Sequence, residues 1–91
     1  MRYAARKDGN HAEIVNALRQ SGAIVRTLDD PSIPDLLVGF QGQTILLELK
    51  TPGRKLRPGQ KEFFDSWRGG ALHKVVSVDE ALVAIGAKEP N

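Results

Sequence analysis

The stretch Pro34-Asp35-Leu36-Leu37-Val38-Gly39-Phe40-Gln41-Gly42-Gln43-Thr44-Ile45-Leu46-Leu47-Glu48-Leu49-Lys50 decides how this chain is read. It holds two strand-like runs, residues 35–40 and 43–50, that meet at Gln41-Gly42, and it reads as a β-hairpin. Successive residues of a strand point to opposite faces. Thr44, Leu46, Glu48 and Lys50 therefore share one face, and Ile45, Leu47 and Leu49 the other. If Gln41-Gly42 is a two-residue turn, Phe40 lies opposite Gln43, Leu37 opposite Leu46, and Asp35 opposite Glu48. A three-residue loop would instead move the two acids apart.

Directly opposed strand residues have Cβ atoms ~4.5–5.5 Å apart, so two carboxylates there repel unless a cation lies between them. A divalent ion would serve. The chain has no cysteine and only two histidines, His11 and His73, far apart in sequence, so oxygen ligands and Mg²⁺ or Mn²⁺ suit it better than zinc. Lys50 lies on the Glu48 face two residues on, within reach of the same space. Two acids, a metal and an amine at one strand end would suit phosphodiester cleavage. The plain alternative is an exposed Glu48–Lys50 ion pair, with Asp35 merely opening a turn after Pro34.

Outward from this hairpin, helical and strand periods alternate. Asn10 can cap a helix with Ile14, Val15, Ala17 and Leu18 on one stripe, ending at Gly22. Residues 23–28 read as a strand, followed by the turn Asp29-Asp30-Pro31-Ser32. After Thr51-Pro52-Gly53 comes a basic loop, then a helix opened by Pro58 whose Phe63, Phe64 and Trp67 form an apolar stripe expected in the core. Residues 74–78 read as a strand. Ser77 and Glu80 make a capping-box pattern before a last helix through Leu82 and Ile85, closed by Gly86. The order α-β-β-β-α-β-α predicts an α/β fold, a small mixed sheet flanked by helices.

Ninety-one residues suit a single domain over 1–91, with a core of about 10–86, a basic arm at 1–8 and a tail at 87–91. The longest apolar run, Ala81 to Ile85, is far short of the roughly 20 residues of a membrane span. With no apolar stretch behind the N-terminal charges and no cysteine, a cytoplasmic setting is expected. Net charge is only +2, but Lys50, Arg54, Lys55, Arg57 and Lys61 fall within twelve residues that contain no acid. Arg2, Arg6 and Lys7 form a second basic cluster. Such patches fit a polyanion footprint, and equally a solvated loop and a frayed terminus. Neither a phosphate-cradling glycine loop nor a Ser-His-Asp order is present.

Pro34-Asp35 followed by Glu48-Leu49-Lys50 resembles the PD-(D/E)XK nuclease superfamily, and within it the small virus-type replication-repair nuclease (VRR-NUC) domain. The likeness continues through the basic turn and glutamine, Arg54-Lys55-Leu56-Arg57-Pro58-Gly59-Gln60, and through Val75-Val76-Ser77-Val78-Asp79-Glu80-Ala81-Leu82, covering about residues 10–85. Ser32 stands where such domains more commonly carry glycine, which removes no ligand. The resemblance implies a restriction-endonuclease-like fold and a metal-dependent endodeoxyribonuclease that leaves 5′-phosphate and 3′-hydroxyl ends. It implies that Asp35, Glu48 and the Leu49 carbonyl hold the ion, and that Glu13 joins them directly or through water; Glu13 also fits a capping pair with Asn10. Lys50 and Gln60 complete the catalytic set, while Arg54, Lys55, Arg57, Lys61, Arg6 and Lys7 carry the DNA backbone. Stand-alone domains of this size resemble homodimeric phage or bacterial Holliday-junction resolvases, making branched DNA the expected substrate. A non-catalytic nucleic-acid-binding module that retains the fold is the alternative.

Overall fold

The computed structural model describes residues 10–90, so the arm residues Arg2, Arg6 and Lys7 lie outside the described residues. The element order is α1 (His11–Gln20), β1 (Ile24–Thr27), β2 (Leu36–Phe40), β3 (Gln43–Leu49), α2 (Pro58–Ser66), β4 (Ala71–Val75) and α3 (Val78–Ile85). The four strands form one mixed sheet in the order β1-β2-β3-β4. The first two pairings are antiparallel and β3–β4 is parallel, with α2 as the crossover that a parallel connection requires.

Gln41 (φ 50°) and Gly42 (φ 80°) both adopt left-handed backbone, the geometry of a two-residue hairpin turn whose twist matches its strands. Phe40 therefore pairs with Gln43 and Leu37 with Leu46, as the sequence predicts. Leu36, Val38, Ile45, Leu47, Leu49, Val25 and Val75 turn one face of the sheet onto Ile14, Val15 and Leu18 of α1 and Ala81 and Ile85 of α3, forming the core. The opposite face is only partly covered. Ile24 is 63% exposed and Leu37 38%.

Three local expectations are corrected. First, β4 starts and ends three residues before the predicted 74–78. The Ser77 hydroxyl accepts the Glu80 N–H while Glu80 Oε1 accepts the Val76 N–H, and this reciprocal cap commits residues 76–80 to the start of α3. Second, no residue of α2 is buried, and Trp67 is 36% exposed, so Phe63, Phe64 and Trp67 are not core. Phe63 and Trp67 instead stack on each other at 5.2 Å. Third, the Asn10 side chain does not cap α1. Its amide donates across the fold to the carbonyls of Lys50 (3.3 Å) and Val76 (2.9 Å).

Candidate active site

The hairpin register delivers the two acids. Since Leu36 lies opposite Leu47, the next position along places Asp35 opposite Glu48. The Leu28 N–H donates to the Asp35 carbonyl at 2.8 Å, extending the β1–β2 ladder to this point. Before it, Asp30 Oδ1 accepts from both the backbone N–H and the hydroxyl of Ser32, a tight turn that aims the chain into β2. The Ser32 donors hold the Asp30 carboxyl below the usual carboxylate range.

Asp35 Oδ2 accepts the Leu49 N–H at 2.8 Å, which fixes one carboxylate oxygen against β3. Within a strand the N–H and C=O of one residue project from the same edge, so the Leu49 carbonyl faces the Asp35 side as well. Glu48 is 4% exposed and Lys50 7%, the buried charged residues of the described chain. Burial pushes the Glu48 carboxyl up to about 8; the neighbouring Asp35 adds to the rise, and the charges of Lys50 and Arg57 oppose it without cancelling it. Charge on this pair is therefore undercompensated by the protein's own cations.

Gln60 bridges α2 to the site. Its Nε2 donates to Glu48 Oε2 at 3.1 Å and its Oε1 accepts the Arg57 N–H at 2.8 Å. One side chain thus satisfies an orphan donor at the helix start and orients a buried carboxyl. Because Leu47 and Leu49 face the core, Glu48 and the start of α2 lie on the partly covered face of the sheet. Lys50 is fixed at its backbone, where its N–H donates to the Val75 carbonyl at 3.0 Å.

Asp35, Glu48, Lys50 and Gln60 are brought together, and Arg57 is the basic-loop residue whose charge Glu48 feels. Gln60 meets the Glu48 carboxyl, a natural acceptor for an amide donor. Glu13 is exposed in the first turn of α1. Among the described residues no three His, Cys, Asp or Glu side chains are grouped to hold a metal ion, so Glu13 is not brought to the pair. The oxygens that could hold Mg²⁺ or Mn²⁺ are those of Asp35, Glu48 and the Leu49 carbonyl. Without a cation a proton on Glu48 relieves the pair, and an ion that takes one or two protein carboxylates and keeps its waters would suit the same place.

No family model and no curated protein matches the sequence. A solved structure described as a VRR_NUC domain superposes with a TM-score of 0.66 and 24% sequence identity, over 79% of this chain and 91% of that one. The chain has the VRR_NUC fold. At this level of identity the likeness establishes the architecture.

Within that VRR_NUC fold, Arg54 and Lys55 are exposed on the loop that leads to α2. Lys61 points to solvent and pairs with Asp65 at 3.2 Å, so its charge is partly answered within the helix. Arg6 and Lys7 lie outside the described residues. Two residues escape the sequence reading. Lys74, exposed on β4, is the register partner of Glu48 on the same face; it falls inside the predicted strand 74–78, but parity along one strand gives no register with a strand reached through a crossover helix. Asn10 reads as a helix cap in sequence, and nothing local signals its distant partners.

Proposed function

We propose that the domain is a divalent-metal-dependent endodeoxyribonuclease that hydrolyses phosphodiester bonds, acting on branched DNA such as a four-way junction. The observation that carries this reading is the pairing of a buried Glu48 with a half-buried Asp35, close enough to raise the Glu48 carboxyl, with the charge of Lys50 beside them. Asp35, Glu48 and the Leu49 carbonyl would hold Mg²⁺ or Mn²⁺. When bound, the ion would polarise a phosphate oxygen and lower the pKa of an attacking water. Lys50 stabilises the negative charge that builds on the phosphate oxygens as that water attacks. Gln60 holds Glu48 in place through its amide. Arg57, with Arg54 and Lys55 beside it, attracts the DNA backbone, giving salt-dependent affinity without base readout.

A second copy of this chain is the natural partner, since a two-fold dimer matches a junction with equivalent strands to cut. The test is nicking of supercoiled plasmid and of branched against linear DNA in Mg²⁺ or Mn²⁺. Asp35→Asn and Lys50→Ala are expected to lower the rate by at least about 10²-fold, the scale of a lost charge-stabilising contact. Metal-independent binding of all these DNAs without cleavage would replace the enzyme by a nucleic-acid-binding module.

A further inference from the structure

Asn10 stands just before α1, in the place of a helix cap, yet its side chain makes no bond to the helix. Only its backbone carbonyl serves α1, accepting the Ile14 N–H at 3.0 Å. Its Nδ2 instead bridges two carbonyls that are 40 and 66 residues away, those of Lys50 and Val76. These carbonyls mark where the parallel strands β3 and β4 run out. The last bond between the two segments is Lys50 N–H to Val75 O, and beyond it the chains part, one into the basic loop and the other into α3. The amide spans that fork.

The other end of the side chain gives an independent indication. Asn10 Oδ1 is buried and has no hydrogen-bond partner among the described residues. Turning the amide over would set this oxygen against two carbonyl oxygens, so the observed orientation is the only one of the two that the site accepts. Leaving an acceptor buried and unpaired is unfavourable, and such groups call for a reason. Here the reason is the pair of donors: an aspartate could not supply them and a serine could supply only one.

We infer that Asn10 is a positioning residue that fixes the Lys50 peptide, and through it the Lys50 amine, beside the Asp35–Glu48 pair. This extends the nuclease reading and rests on it for its catalytic consequence. With its N–H tied to Val75 and its C=O tied to Asn10, the Lys50 backbone is held at both polar groups, although it lies beyond the end of β3. Side-chain hydrogen bonds that orient the groups doing the chemistry commonly matter to activity nearly as much as those groups do.

Asn10→Ser is the informative variant, because serine caps helices as well as asparagine and so protects α1, while its short hydroxyl cannot span both carbonyls. Amide hydrogen exchange of the metal-free protein judges the clamp without any need for activity. Protection of the Lys50 N–H should fall in the variant while that of Leu47 stays the same; equal protection at Lys50 in both proteins overturns the inference. Single-turnover cleavage of branched DNA should slow about 10- to 100-fold with DNA affinity within about twofold of wild type. A rate loss that merely follows lost affinity or lost folded protein also overturns it. A wild type that cleaves no DNA at all sinks the nuclease reading and with it the catalytic role of Asn10, whereas the exchange result still decides whether the clamp exists.

Discussion

Burial and the adjoining Asp35 carboxyl push Glu48 up to about 8, from an ordinary value of 4.5. Between these two values the folded protein keeps a proton that the unfolded chain has released. Stability must therefore decline as pH rises through that window and level off above it. The effect is on the order of a few kcal/mol for a carboxyl this deeply buried. In EDTA, thermal unfolding of the wild type should shift to lower temperature from pH 5 to pH 8. Glu48→Gln should flatten that dependence and melt higher than wild type at pH 8. Matching pH profiles for the two proteins would show that Glu48 titrates normally. The positions of Asp35, Glu48 and Lys50 were legible in the sequence, because strand parity and a two-residue turn fix both face and partner. Gln60 was legible through the resemblance, as the glutamine that follows the basic turn. Asn10 was not, since its acceptors meet it only after three separate elements have assembled.

Elements were read well where hydrophobic period and terminators agreed, as in α1, the hairpin and α3. Gln41 supplied less help than an asparagine would, yet the turn forms because Gly42 tolerates the left-handed backbone and the flanking register buries Leu36, Val38, Ile45 and Leu47 correctly. The strand after α2 was placed late because Val75-Val76-Ser77-Val78 is the more β-branched stretch, whereas the Ser77–Glu80 cap claims it for a helix. The aromatic spacing of α2 looked like a core stripe. Its stripe is met instead by a stack on the helix itself, completed by Trp67 Nε1 donating to the Gly70 carbonyl at 2.7 Å. Gly69 lies under that indole, and a Cβ there would overlap the Trp67 ring. Gly69→Ala should therefore displace the ring, lose the stack and its hydrogen bond, and lower stability by about 1–2 kcal/mol. Trp67 is the sole tryptophan, so its emission reports the displacement directly. Unchanged emission and melting temperature would mean that the ring is not seated on Gly69.

At the scale of the molecule, the sheet has two unlike faces. One is sealed by α1 and α3, and the other carries Glu48, Lys74 and the start of α2, with apolar residues left uncovered. The fold order was legible because each element announced itself locally. The partial cover of the second face was not, because sequence period shows which side of a strand is apolar and not whether anything covers it. No described helix is long and apolar enough to cross a membrane. The architecture matches a VRR_NUC domain over most of both chains, and among the described residues buried charge gathers at the end of β3. Whether that place holds a cation is answered most directly by anomalous diffraction from a crystal soaked in MnCl₂. The expected result is a peak about 2 Å from one oxygen each of Asp35, Glu48 and the Leu49 carbonyl. No peak at that position, or one bound away from both acids, would contradict the proposed chemistry.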